Sequence, residues 1–383
     1  MDKIAQTISA EQMLADLEVL VNTESPSRDI DRLNIHAALL ASIMTRVTGI
    51  APTIVESDVG PHLHWVGGPN ARVLILGHHD TVHPAGTTTQ RPFKVSDGHA
   101  TGPGVFDMKA GIVQAIHALG SLADISAVEM LITADEEIGS RHSRELLQQR
   151  ALHAGAVLVL EPSADGGALK IGRKGTGNFE LSLQGKASHA GLEPEKGVNA
   201  LLALSELLPR VVAIARPEAG TTVTPTIASA GTADNVVPAS ATCMLDVRVK
   251  TPAEKARVET EMRELTSNYK GATLLVTGGM NRPPMHSSSA TDLFVIAQQV
   301  AHEMQMPDIV GVEVGGGSDG NFTAAVGVQT LDGLGAVGGG AHADTEHVVV
   351  ATMVPRAMLL AGVIQRLSSM DKRPPLPSVP ADR

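Results

Sequence analysis

Seven residues carry most of the chemistry this sequence can offer: His78, Asp80, Asp107, Glu136, Glu137, Glu161 and His342. Each lies beside a glycine-rich turn or at the end of an aliphatic run. Imidazole nitrogens and carboxylate oxygens that converge in space make a site for divalent metal ions. Taken singly, the residues mean little. His78 alone reads as a polar residue in a strand-end loop, and Glu161 alone as a solvated charge. Their order says more: His-x-Asp closes one aliphatic run, a Glu-Glu pair follows the next, and Glu-Pro follows a third.

The elements that must position these residues can be read from periodicity. Ser9 and Gln12 have capping-box spacing, and Met13, Leu14, Leu17, Leu20 and Val21 continue as one apolar helical face. A second helix is expected over 31–47. The runs RVLILG (72–77), AVEMLITA (127–134) and AVLVL (156–160) read as strands separated by helical patterns. Such alternation predicts an α/β fold with a mostly parallel sheet covered on both faces. In open sheets of this kind the ligand crevice lies beyond the carboxyl ends of the strands, where the His and acid groups fall. From about 170 to 280 the pattern changes to strand, helix, two strands, helix, strand, which matches a split βαβ sandwich. The predicted organisation is therefore a discontinuous core (1–169 and 281–372), an inserted α+β ferredoxin-like unit (170–280) and a proline-rich tail (373–383).

Composition narrows the function. A chain of 383 residues favours two domains, and 43% hydrophobic with 19% charged residues suits a globular protein. Aromatic residues are only 2%, the net charge is −11 and no Lys/Arg-rich run occurs, so nucleic acid is not an expected partner. Cys243 is the sole cysteine, which excludes an intramolecular disulfide and paired-thiolate metal motifs. It reads as a small buried hydrophobe in a strand. The N-terminal stretch is amphipathic without a signal-peptide apolar region, and no apolar run is expected to reach membrane-spanning length. A cytoplasmic protein with no membrane partner is expected.

The segments GHHDTV (77–82), GPGVFDMKAG (102–111), DEEIGS (135–140), LEP (160–162), GKASHAG (185–191) and AHADTEHV (341–348) together resemble the co-catalytic zinc aminoacylase/carboxypeptidase metallopeptidase family. They look most like its glutamate carboxypeptidase branch, in order and over nearly the whole chain. The resemblance implies two Zn2+ per chain, with Co2+ or Mn2+ as substitutes: one held by His78 and Glu161, the other by Glu137 and His342, with Asp107 bridging. Asp80 would orient His78 by bonding its far nitrogen. Glu136 would be the general base, since neighbouring acids can point in different directions, one to the metal and one to its water.

By the same resemblance the inserted unit is a lid and dimerisation domain. His189 would reach the tetrahedral oxyanion from the lid of a partner subunit, which implies a homodimer. Asn235 and Arg248 would hold a small-molecule substrate, Arg248 gripping a free α-carboxylate. Read without the family, His189 is an exposed turn histidine, and Arg248 is a strand residue with a surface partner. The expected reaction is hydrolysis of the amide bond of an N-acyl amino acid or small peptide with a free carboxylate, glutamate being the first guess. Rival readings are an acetylornithine or succinyl-diaminopimelate type of deacylase, and a catalytically silent homologue that binds metal or carboxylate. Retention of Glu136 speaks against the latter.

Other signals are set aside. GLGAVG (333–338) fits a dinucleotide fingerprint, but the His342 loop follows it instead of a helix, which leaves a nicotinamide oxidoreductase poorly supported. GGGSDG (315–320) lacks a phosphate-loop lysine. His62 and His64 have the spacing of a His-x-His metal pair but read as an exposed strand-edge pair, and His83, His99 and His286 are read in the same way. Arg173 and Lys174 read as decoration of a strand start.

Overall fold

The computed structural model describes residues 8–370; the proline-rich tail lies outside them. By internal contacts the chain divides into two compact units. Among the described residues one comprises 8–172, 286–314 and 318–370, and the other 173–285 with 315–317. The strand Thr273–Arg282 carries the second unit past the end expected at 280.

In the first unit, three aliphatic runs become the strands Val73–His78, Val128–Thr133 and Ala156–Val159, in which every residue is buried. Continuous burial suits parallel strands covered on both faces. They pair in parallel with Val73–His78 at the centre, and Gln329–Leu331 adds a fourth parallel strand beside Ala156–Val159. On the other side, His62–Val66 and Thr53–Val55 extend the sheet as antiparallel strands, giving six in all.

Helix Ala110–Ser121 is buried from Ala110 through Leu119, and its polar His117 is met there by Asp16 at 2.7 Å. Helix Ala10–Asn22 starts at Ser9, whose hydroxyl accepts the Gln12 N–H at 3.3 Å. The second helix spans Ile30–Thr48 and ends at Gly49 in the left-handed region, φ 75°. One expectation needs correction: Val350–Ser368 is long and apolar enough to cross a membrane by length and composition. Those properties here serve a core, since Ala357 and Leu359 through Ile364 are all buried.

The second unit is a four-stranded antiparallel sheet in the order Thr222–Ala230, Ser240–Val249, Gly175–Gln184, Thr273–Arg282. Buried and less buried positions alternate along Gly175–Gln184 and Ser240–Val249, so one face packs and the other does not. Helices Ala200–Val212 and Pro252–Arg263 supply Leu204, Leu207, Val211, Val258 and Met262 to a core with Phe179, Leu181, Leu183, Leu245 and Val247. With Cys243 buried in this core, the ferredoxin-like order expected from the sequence is present.

Candidate metal centre

Sheet register explains why distant residues meet. His78 is level with Thr133, and Leu76 with both Leu131 and Val159, so the chain beyond each strand emerges at one edge carrying Asp135–Glu137 and Glu161. The turn 104–109, with Gly104 at φ 71°, brings Asp107 to the same edge. The His78 N–H points at Met108 Sδ, 3.1 Å away. His342 arrives on a tight loop and itself has φ 64°, in the region L-residues rarely adopt.

Asp107 lies between the two histidines. Its Oδ1 is 3.2 Å from His78 Nε2 and its Oδ2 is 3.3 Å from His342 Nε2. Glu161 Oε1 is 3.6 Å from His78 Nε2, and Glu137 Oε2 is 3.3 Å from His342 Nε2. Donor atoms of His78, Asp107 and Glu137 form one tight cluster, and those of His78, Glu136 and Glu161 another, each within 4.8 Å. The neighbours Glu136 and Glu137 thus reach different groups. All five residues expected as ligands come together, with Glu136 and Asp80 beside them.

Asp80 is fully buried and holds the centre from behind. It accepts hydrogen bonds from Ser27 Oγ (2.7 Å), Glu136 N (3.2 Å) and Glu137 N (3.3 Å). His78 Nδ1 faces the Asp80 carbonyl oxygen at 3.0 Å and its carboxylate at 3.5 Å. With Nδ1–H donating there, Nε2 is the atom turned to Asp107 and Glu161, where it can carry a proton or give its lone pair to a metal ion in the proton's place. Glu161 is buried, not the solvated charge its position alone suggested. On the opposite side of its segment, Gly335 N donates to the Glu161 carbonyl, and Arg356 ties down the carbonyls of Gly333 and Gly335. A side chain at 335 would bring its Cβ to 2.1 Å from Leu160 O, a reason for glycine in GLGAVG that owes nothing to a dinucleotide.

The electrostatics are those of a cation site. Burial alone would discourage an imidazolium at His78, but Asp107, Asp80 and Glu161 outweigh it and raise its pKa well above 6.5. Hydrogen bonds to Asp107 and Glu137 raise His342 to about 10. Burial pushes Asp107 up, yet His342 and His78 more than reverse this and hold it well below the carboxylate range. Burial raises Glu137 despite His342. Glu137 Oε1 is buried with no hydrogen-bond partner. Positive charge among four converging acids is what these shifts call for, and imidazole with carboxylate is a donor set suited to Zn2+ and its first-row neighbours.

The residues expected to contact substrate sit in the second unit. His189 Nδ1 accepts the N–H groups of Gly191 and Leu192, both at 3.1 Å, so its proton sits on Nε2 and makes that atom a donor. Ala190 N bonds Asn235 O at 2.9 Å, placing Asn235 beside His189. Arg248 forks onto Asp246, with Nε–Oδ1 2.8 Å and Nη2–Oδ2 2.7 Å, so the surface partner its strand position suggested is present. Asp246 engages Nε and Nη2 of Arg248, which leaves the Nη1 edge of the guanidinium for a further acceptor. Arg173 is buried and donates to Gly316 O and Gly317 O, unlike the surface decoration expected.

Four participants escaped the sequence reading. Ser27 supports Asp80. His83, expected to be exposed, is buried and bonds Glu346 at 2.8 Å, and Glu346 in turn accepts from the backbone of the Asp107 segment. His62 is also buried and accepts the Ala134 N–H at 3.0 Å, because its strand has neighbours on both sides.

Imidazole and carboxylate groups gathered at the carboxyl ends of parallel strands are the donor set of a metal-dependent hydrolase. The chain belongs to peptidase family M20/M25/M40, whose model matches residues 74–366. It is 32% identical over 373 residues to carboxypeptidase G2 of Pseudomonas sp. (strain RS-16), covering 93% of this chain and 89% of that one. It is 28% identical over 323 residues to succinyl-diaminopimelate desuccinylase of Alkalilimnicola ehrlichii, covering 76% and 82%. The fold matches an M20 family metallo-carboxypeptidase from Sulfolobus solfataricus with TM-score 0.77 at 15% identity, over 94% of this chain and 100% of the other.

Proposed function

We propose that this metallohydrolase cleaves the amide bond of a small N-acyl amino acid or peptide bearing a free carboxylate, with glutamate the first side chain to test. The supporting observation is the Asp107 carboxylate set between His78 and His342, one oxygen to each. In this reading His78 and Glu161 would hold one divalent ion, zinc by preference, Glu137 and His342 would hold the other, and Asp107 would serve both. Ions held there would supply Lewis acidity toward the scissile carbonyl and a lowered pKa for water. Asp80 keeps His78 in the tautomer that presents Nε2. Glu136 takes a proton from the attacking water and returns it to the departing amine. His189, with its proton on Nε2, donates to the developing oxyanion from a partner subunit, and Asn235 beside it contacts substrate.

A homodimer formed through the second unit follows from that role for His189. It draws support from the Thr222–Ala230 edge strand, which is exposed from Thr224 onward. Cytoplasmic residence suits a chain whose lone cysteine is buried. A deacylase acting on a succinylated or acetylated diamino acid is the second reading and rests on the Alkalilimnicola relative. The deciding experiment is a panel of N-acyl amino acids assayed for released amine, with metal content measured before and after chelation. Full activity in protein stripped of metal would sink the proposal, and N-succinyl or N-acetyl diamino acids outpacing N-acyl glutamates would favour the second reading.

A further inference from the structure

Glu346 is a buried carboxylate outside the expected ligand set, yet three of its four side-chain contacts are to the segment that carries Asp107. Its Oε1 accepts the N–H groups of Phe106 (2.9 Å) and Asp107 (3.0 Å), and its Oε2 accepts that of Gly104 (2.8 Å) and faces His83 Nε2 (2.8 Å). Arg91 Nη2 lies 3.2 Å from His83 Nδ1. An arginine can only donate, so His83 Nδ1 accepts, its proton sits on Nε2, and that proton is given to Glu346. Arg91 also bonds Ala343 O at 3.2 Å. The direction of donation is therefore fixed along the whole path: Arg91 to His83 to Glu346, with three backbone amides donating to the same carboxylate.

Glu346 sits four residues after His342, on the loop closed by Ala343 N to Gly340 O and Glu346 N to Ala343 O. Its carboxylate clasps the backbone of the segment that carries Asp107. One side chain thus ties together two chain segments more than two hundred residues apart, whose ligand atoms, His342 Nε2 and Asp107 Oδ2, stand 3.3 Å from each other. A carboxylate accepting several N–H bonds in a buried site fixes the backbone positions of its donors.

We infer that Glu346 is a positioning residue of the metal centre: it sets the spacing of Asp107 and His342, and His83, locked by Arg91, sets the orientation of Glu346. This rests on the metal reading proposed above. It adds that a residue contacting neither ion nor substrate governs how well the Asp107–His342 pair accepts a cation.

The test uses full-length protein, Co2+ as probe and two variants, Glu346→Gln and the milder His83→Gln. Co2+ is titrated against a chelator, and hydrogen exchange of the segment 104–107 is followed in the metal-free protein. Glu346→Gln should lower the affinity for at least one Co2+ about 10–100-fold, the usual cost of losing a residue that supports a ligand. It should also change the visible Co2+ absorption and speed exchange at 104–107 while the strands of the six-stranded sheet keep their protection. His83→Gln should shift the same readouts in the same direction by less, and it decides the matter if Glu346→Gln does not fold.

Val258→Ala, in the core of the second unit, serves as a control for general destabilisation. The inference is overturned if Co2+ affinity and spectrum stay at wild-type values in the folded variants, or if Val258→Ala weakens Co2+ binding as much as they do. Wild-type protein that takes up no Co2+ would instead defeat the metal reading. The exchange measurement would still decide whether Glu346 holds the Asp107 segment.

Discussion

Asp80→Asn keeps the shape of a fully buried side chain and removes its charge, and the outcome can be worked through atom by atom. Both groups facing Oδ1, Glu136 N and His78 Nδ1, are donors in the arrangement described above, so the amide nitrogen cannot settle there. Facing Oδ2 are Glu137 N, a donor, and Ser27 Oγ, which can rotate to accept. The amide therefore turns its NH2 to Ser27 and leaves the Glu137 N–H without an acceptor. An orphaned buried N–H costs about 1–3 kcal/mol, and loss of charge from the remaining bonds brings the expected loss of stability at neutral pH to about 2–4 kcal/mol.

The pH dependence has a definite sign. Burial pushes the Asp80 carboxyl up, but His78 and Ser27 outweigh it and hold its pKa below 3.8. A depressed carboxylate contributes its full stability above its unfolded pKa and loses it as pH falls through its folded one, so the gap between wild type and variant should begin to narrow below about pH 4 and close only at still lower pH. Urea unfolding of the metal-free proteins across this range measures the difference. Metal affinity should drop about 10–100-fold because the Glu137 backbone and the His78 tautomer are both loosened. Coincident unfolding curves at neutral pH, together with undiminished metal affinity, would refute the reasoning.

Glu136→Ala should retain two metal ions per chain while turnover falls about 10²–10⁴-fold, the usual range for loss of a proton carrier; loss of an ion by metal analysis would recast Glu136 as a ligand. His342→Ala should empty one site, leaving one ion per chain, because Glu137 and Asp107 lose the nitrogen donor they share. The stacked, buried rings of His36 and His79 are held neutral chiefly by burial, His36 well below 6.5 and His79 at about 4. The unfolded chain takes up these protons first, so stability should be full above pH 6.5 and fall toward pH 4, by roughly 3 kcal/mol for a pair member shifted that far. His36→Leu should flatten the slope in urea titrations, since it removes one of the two groups that the fold holds neutral by burial.

The residues that could be read from the sequence are those whose type and place carry the signal. His78, the Glu136–Glu137 pair and Glu161 each follow an uninterrupted aliphatic run, and such runs become buried parallel strands whose ends must lie together. Asp107 and His342 lie in turns without that cue, and only the family motifs pointed to them. Glu346 gave no sign of its role because three of its four partners are backbone amides 239 to 242 positions away, and an amide leaves no trace in residue type. His62 and His83 were placed on the surface because burial there comes from neighbours that local pattern does not reveal. Thr53–Val55 is only three residues long, too short for alternation to mark the antiparallel edge.

The sheet's connectivity also sets a schedule for the chain as it is made. Ala156–Val159 finds its outer neighbour only in Gln329–Leu331, so some 170 residues must follow before that flank is covered. At the usual pace of synthesis the interval is roughly 10–30 s. Throughout it an apolar strand shows unsatisfied amide and carbonyl groups to any passing chain, which is the setting in which nascent sheets stick to one another. A chaperone that shields this flank should raise the yield of folded protein more than one that acts after release.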